Sequence, residues 1–337
     1  MNTFHIVAIA LAACVVSAIM IVVFHPLLKR YALARPNARS SHNIPTPQGG
    51  GAAVITATIA TLLVAGNILH TTSDAALLQV FAATVLLACV GACDDLRPIP
   101  VLPRLFLQAF AVSMVIASLH ADFRLISIGP VWAERAMLLV GALWFINLVN
   151  FMDGLDWLTV AEVVPVTAAL TLFGLYGHLP PGPALVALAL CGAMIGFAPF
   201  NRPVAKLFLG DVGSLPIGLL MGWGLLQLAG SGHLAAALLL PLYYLADATL
   251  TLLKRLTRGE AIWVAHRSHF YQQATTNGFS VMQVVGEVFI LNIGLAILAA
   301  ITIWLKSPYV QGVALALGVS AVTLVLSRFS RKQQLLG

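Results

Sequence analysis

The chain has 337 residues, of which 60% are hydrophobic and only 9% charged, with a formal net charge of +6 and a mean hydropathy of +0.96. A soluble domain carries roughly a quarter of its residues as charges, so this balance excludes a water-soluble enzyme. Nucleic-acid binding is excluded too, because no basic stripe is interleaved with aromatic residues.

Apolar runs cut at polar breaks fall near 4–24, 50–69, 76–93, 103–119, 136–151, 158–176, 183–200, 212–230, 233–253, 283–305 and 309–327. Each is close to the ~20 residues that cross a bilayer as a helix. The predicted fold is therefore an all-α polytopic membrane protein of about eleven transmembrane helices. The first run is expected to stay attached: it exceeds a typical signal-peptide core, no basic segment precedes it, and a basic loop follows. Cys14, Cys89, Cys93 and Cys191 all lie inside predicted spans, as small apolar residues with no disulfide or zinc spacing,.

An odd number of spans puts the termini on opposite sides, and basic loops stay in the cytoplasm. With the N-terminus periplasmic and the C-terminus cytoplasmic, only Arg124, Arg135 and Lys306 of the 18 Lys and Arg fall outside. The net charge is thus first a topology signal, reinforced by contact with anionic lipid. No fixed-period repeat occurs and the outer loops are short, so residues 1–337 read as one domain. Its inner segments, about 25–49, 94–102, 147–158, 201–211 and 254–282, are the ones with room for chemistry.

Five of the 12 carboxylates, Asp94, Asp95, Asp153, Asp156 and Asp211, map to inner membrane ends in three different loops. In order along the chain, "PTPQGGG" places Gly49, Gly50 and Gly51 before the second helix, either as a tight re-entry turn or as a close approach for ligand. "GACDDLRPIP" then ends the third helix with Asp94 and Asp95 at a C-terminus, where the helix dipole disfavours an anion. A pair kept there calls for a cation, a hydrogen-bonding substrate or a raised pKa, unless both are solvated loop residues. "FINLVNFMDGLDWL" sets Asn147, Asn150 and Asp153 three apart on one helix face, followed by Asp156. Such a stripe serves either a site or interhelical hydrogen bonding.

Asp211, in "FLGDVGSLPIG", opens an outward helix with Ser214 three residues on. That is an ordinary capping arrangement, but also a natural place for a phosphate or its metal complex. Asp247 lies about two turns inside the membrane, a candidate either for function or for pairing with a neighbouring helix. The last inner loop carries His266, Arg267 and His269 in "AHRSHFYQQ", near Lys254, Arg255 and Arg258, where cations can clamp a diphosphate.

These motifs in this order resemble the polyprenyl-phosphate N-acetylhexosamine-1-phosphate transferase superfamily, also called glycosyltransferase family 4, from about residue 35 to 280. The resemblance implies a Mg2+-dependent enzyme, with Mn2+ able to substitute. It would transfer a sugar phosphate from a UDP-N-acetylhexosamine to undecaprenyl phosphate in the bacterial inner (cytoplasmic) membrane, with the active site on the cytoplasmic face and UMP released. Carried over residue by residue, Asp211 is the magnesium ligand, Asp94 and Asp95 are the paired aspartates, and Asp153 is a further essential one. Asp94 is expected to accept a proton from the lipid phosphate with Asp95 assisting, and His269 completes the catalytic set. Asn147, Asn150, Asp156, Arg267, His266 and Gly50 are expected to contact substrate.

Two departures from the family pattern narrow the branch. With "HRSHFY" the chain resembles the enzymes that initiate O-antigen and lipopolysaccharide synthesis, and Asn43 and Ile44 stand where the muramoyl-pentapeptide branch often carries Lys. The choice among N-acetylglucosamine, N-acetylgalactosamine and N-acetylfucosamine, and the existence of a homodimer, are not legible in one sequence. A secondary transporter would also be polytopic, but it would place its carboxylates near the midplane in repeat-related broken helices.

Overall fold

The computed structural model describes residues 3–34, 45–69, 75–120, 122–125, 129–261 and 266–333, without the side chains of 67–69. Within these the apolar runs become helices: α1 (Thr3–Tyr31), α2 (Gly50–Leu69), α3 (Ala75–Leu96), α4 (Val101–Ala117), α5 (Val131–Met152), α6 (Leu158–Leu175), α7 (Pro181–Phe197), α8 (Asp211–Gly230), α9 (Leu234–Leu239), α10 (Leu242–Thr257), α11 (Phe270–Thr276), α12 (Val281–Leu305) and α13 (Pro308–Phe329). Eight of them are long and apolar enough to cross a membrane, and α2 and α4 are shorter apolar helices. The protein is an all-α polytopic membrane protein. Asn43, Ile44, Arg35 and Arg39 lie outside the described residues.

The run expected as a single span over 233–253 is split into α9 and α10. Pro241 stands at the break with φ −95° and ψ 17°. A prolyl nitrogen has no hydrogen to give the preceding turn and its ring crowds that turn's carbonyl, so the helix ends at Leu239 and restarts at Leu242.

α8 is the hub, the most enclosed of the long helices. It packs against α2, α3, α5, α6, α7 and α9, while α1 and α13 lie at the margins. The outer surface carries apolar side chains such as Phe106, Leu102 and Tyr309 at 74%, 78% and 87% exposure, as lipid-facing positions should. The close approach of helices around α8 needs residues without side chains. A Cβ on Gly51 would lie 2.1 Å from Gly213 Cα, and one on Gly91 would lie 2.2 Å from the Asp211 carbonyl oxygen. The "GGG" and "GDVGS" motifs thus bring backbone onto backbone. The segment before α2 is stitched to the one before α8: β1 (Leu33–Ala34) pairs antiparallel with β2 (Thr46–Pro47), Phe208 N donates to Pro47 O, Gly49 and Gly50 N donate to Phe208 O, and Gly51 N donates to Leu209 O.

Gly91→Ala should therefore force α3 away from the start of α8, lowering stability by about 1–3 kcal/mol, the usual cost of overpacking. Gly141→Ala, where a Cβ meets nothing within 4 Å, should be neutral or slightly stabilising. Thermal unfolding in detergent checks the pair, and equal melting temperatures would refute the packing argument.

Candidate active site

The last turn of α3, the first turn of α8, the last turn of α5 and the first turn of α4 converge at one rim of the bundle. Asp95 is the joint. Its Oδ1 accepts from Asp211 N at 3.0 Å and its Oδ2 from Val212 N at 3.1 Å, so a carboxylate from α3 caps the N-terminus of α8. Of the two readings open for Asp211 in the sequence, the capping one is therefore taken by Asp95 instead. The capping position is Gly210 at φ +77° and no local side chain caps the turn. Asp95, unfavourable at the end of its own helix, is compensated by the positive end of another. Gln48 Nε2 closes the joint by donating to the Asp95 carbonyl at 2.8 Å.

Freed from capping, Asp211 turns to other partners. Its Oδ1 accepts from Asn150 Nδ2 at 2.8 Å, and the same amide donates to Ser214 Oγ at 2.9 Å. Asp94 lies within hydrogen-bonding reach of Asp211. It accepts from Ile99 N at 2.6 Å and from Arg104 Nη1 at 2.8 Å, and that guanidinium is 3.7 Å from Asp211 Oδ2. Arg104 was read in sequence only as a topology charge. A cation in the first turn of α4 sits at the positive end of its own helix, and that misplacement was the signal that it belongs to a site.

Asp153 ends α5, is partly covered, and accepts from Thr159 Oγ1 at 2.5 Å. Burial pushes its carboxyl up to about 7. The Thr159 hydrogen bond works against the rise, and the charges of Asp95 and Asp156 add to it.

The histidine segment forms a third group. His269 is 3% exposed and begins α11, with Nδ1 3.3 Å from Asp247 Oδ1. Asp247 also accepts from Phe270 N at 3.0 Å, Tyr271 N at 3.1 Å, Tyr243 Oη at 3.2 Å and Thr251 Oγ1 at 3.3 Å. Of its two sequence readings the pairing one holds: Asp247 caps α11 and orients His269. The His266 ring stacks on His269 at 5.0 Å, and Arg267 is exposed. Tyr271 Oη donates to Phe151 O at 3.0 Å, which ties this segment to the end of α5. Arg255 and Lys254 brace the same region, through Ala261 O at 2.9 Å and over the Phe270 ring at 4.3 Å.

Three residues expected to contact substrate are placed in the scaffold. Asn147 is buried and donates to Gln108 Oε1 at 2.7 Å, joining α5 to α4. Asp156 is buried and accepts from Ala205 N at 2.9 Å, fixing the turn after α5 to the segment before α8. A Cβ on Gly50 would lie 2.6 Å from Phe197, and its N–H is spent on Phe208 O. Short polar side chains at a membrane end read alike in sequence whether they face a ligand or a neighbouring helix.

Among the described residues no group of three or more His, Cys, Asp or Glu is arranged to hold a metal ion. Magnesium needs only one or two carboxylates and keeps its waters. The abutting Asp94 and Asp211 carboxyls, bridged by Arg104, are a hard-oxygen pair with a cation already drawn to it, which fits that requirement.

Apolar helices with carboxylates and an arginine gathered at one rim define a polytopic membrane protein with a charged site at that rim. Over residues 77–229, from α3 to α8, the chain matches glycosyl transferase family 4. It is 26% identical to a Bacillus subtilis protein named a probable undecaprenyl-phosphate N-acetylglucosaminyl 1-phosphate transferase, over 87% of this chain and 86% of that one. It is 28% identical to the decaprenyl-phosphate N-acetylglucosaminephosphotransferase of Mycolicibacterium smegmatis, over 87% and 81% of the two chains. To a phospho-N-acetylmuramoyl-pentapeptide-transferase of Leuconostoc citreum it is 31% identical over 51% and 59%. Across these comparisons the chain is similar to polyprenyl-phosphate N-acetylhexosamine-1-phosphate transferases.

Asp153 yields a test of sign. A folded value near 7 against an ordinary 3.8 means that the folded protein holds a proton the unfolded chain has lost, so stability falls as pH rises from about 4 to 7 and then levels off. Asp153→Asn should remove that component, giving a flatter stability profile across this window in detergent. Parallel profiles for the two proteins would show that Asp153 is charged throughout.

Proposed function

We propose that the protein transfers an N-acetylhexosamine-1-phosphate from a UDP-sugar to undecaprenyl phosphate. The observation that carries this reading is the convergence of Asp94, Asp95, Asn150, Arg104 and Asp211 from four helices onto one rim. An oxygen of the lipid phosphate attacks the sugar-bearing phosphorus of the UDP-sugar, the P–O bond to the other phosphate breaks, and UMP leaves. One diphosphate bond replaces another, so the protein's task is positioning and charge neutralisation. Mg2+, or Mn2+ in its place, would be held by Asp211 with Asp94 adjacent and would neutralise charge on the diphosphate.

The role of base moves from Asp94 to Asp153 in this reading. Asp94 is engaged by Arg104 and Ile99 N, which favours its charged form and makes it a weak proton acceptor. Asp153 titrates near 7. A phosphate monoester has a second pKa of about 6, so the lipid phosphate has lost most of this proton at neutral pH and the base has little to do. Arg267 and His266, at the exposed edge of the histidine segment, would grip the nucleotide diphosphate, with His269 behind them.

The basic loops support an eleven-span topology in which α9 and α10 together make one crossing. The N-terminus is then periplasmic and the site opens to the cytoplasm of the inner membrane. N-acetylglucosamine is the first donor to try, since two of the relatives are named for it. The "HRSHFY" segment favours a place at the start of O-antigen or lipopolysaccharide synthesis.

Purified protein should exchange labelled UMP into UDP-sugar only with undecaprenyl phosphate and Mg2+ present. No such exchange with any UDP-N-acetylhexosamine would overturn the reading. Asp211→Asn should cut turnover by roughly a hundredfold or more and raise the magnesium requirement; near-normal activity with an unchanged requirement would remove Asp211 as the ligand. Arg267→Lys keeps the charge but loses the planar fork. It should cost on the order of 1–3 kcal/mol, a tenfold to hundredfold drop in kcat/KM, and full activity would leave Arg267 a topology charge only.

A further inference from the structure

Behind Asp153 a line of polar groups runs away from the rim into the bundle. Thr159 and Glu162 are three residues apart on one face of α6 and are 2% and 0% exposed,. Thr159 Oγ1 donates to Asp153 Oδ1. From α10, the wholly buried Tyr244 brings its hydroxyl beside Thr159 and within electrostatic reach of Glu162 and Asp153. From α12, Asn292 Nδ2 donates to Glu162 Oε2 at 2.7 Å and to the Ala161 carbonyl at 3.0 Å. Three atoms of this line are buried without a hydrogen bond that meets distance and angle: Glu162 Oε1, Tyr244 Oη and Asn292 Oδ1.

Buried polar atoms are almost always paired, and the requirement is strictest where lipid surrounds the bundle. A small turn of the Glu162 and Tyr244 side chains toward each other and toward Thr159, with the hydrogens placed to match, answers it. A charged Glu162 has no proton to give and carries the penalty of an ion in the middle of a helix bundle. An uncharged Glu162 carries O–H on Oε1 and can donate to Tyr244 Oη. Tyr244 then donates to Thr159 Oγ1, whose own proton is already directed at Asp153. Each donor polarises the next, and one trapped water can serve Asn292 Oδ1.

We propose that Glu162, Tyr244 and Thr159 form a one-way chain of O–H donors that ends on Asp153 and fixes its carboxyl for the transfer reaction. They are positioning residues, and their kinetic role rests on the function proposed above. Tyr244→Phe, Thr159→Val and Glu162→Met each interrupt the chain. Each should lower kcat about tenfold, the effect of one lost hydrogen bond on a reacting group, with KM within about twofold because the substrate contacts are untouched. Thr159→Ser restores the hydroxyl and Glu162→Gln keeps a donor at the same place, so both should stay near the wild-type kcat.

Wild-type kcat in Tyr244→Phe and Glu162→Met would overturn the proposal, and so would equal losses in Glu162→Gln and Glu162→Met. A readout free of turnover separates this from the wider reading. At neutral pH the infrared difference between wild type and Glu162→Gln should contain the C=O stretch of a protonated carboxyl, and a carboxylate band in its place would overturn the chain whether or not transfer is detected. A protonated-carboxyl band without any transfer by the wild type would leave the chain's geometry in place and refute the function.

Discussion

The Asp95 carboxylate laid across the first two amides of α8 is the contact on which the rest of the site depends. It joins the end of one membrane helix to the start of another that runs the opposite way, and it satisfies both. α3 ends in carbonyl dipoles that repel an anion, and α8 begins with N–H groups that need one. Because Asp95 takes the capping duty, Asp211 is released from its own backbone and can face Asn150, Asp94 and Arg104. The glycines follow from the same contact. Asp95 reaches those amides only if the helices nearly touch, so Gly91 is fitted to the Asp211 backbone and Gly210 leaves room for the carboxylate.

The charges at the rim form a second layer. Two carboxyls abut, one guanidinium lies between them, and a third carboxyl titrates near neutrality close by. Arg104 lies against both members of the acidic pair, and a divalent ion with its waters would compete for the same oxygens. The scaffold around this layer is mostly neutral amides. Asn147, Gln108 and Asn201 use amides to join helix to helix and loop to loop, while Asp156 does the same with a buried carboxyl.

Much of this was legible in the sequence. Apolar length marked most of the helices, because a bilayer allows few other answers, although α1 runs on to Tyr31 and the run over 233–253 is split. The charge asymmetry of the loops placed Asp94, Asp95, Asp153 and Asp211 on one face before any coordinates. The division of labour among the polar residues was not legible. Asp95 and Asp211 exchange the capping role because of a contact 116 residues apart. Asn147 and Asn150 share a helical face yet serve different partners, since one turn of α5 separates Gln108 from Asp211. Pro241 alone could have announced the α9–α10 break, but its flanking residues are apolar enough to read as one span. Glu162 went unremarked because a single carboxyl in an apolar run shows its meaning only beside Tyr244 and Asn292.

The tether from Tyr271 to Phe151 has a mechanical side. The Phe151 carbonyl precedes Asp153 by two residues, and a Cβ on Gly154 would lie 2.1 Å from the Tyr271 hydroxyl oxygen. His269 is held on its other flank by Asp247 of α10. The histidine segment is therefore a strut between two helices, and force applied at one end of a strut is delivered at the other. On the function proposed above, a ligand drawing on His269 would load the turn that carries Asp153, and seating the nucleotide and setting the carboxyl would be parts of one displacement.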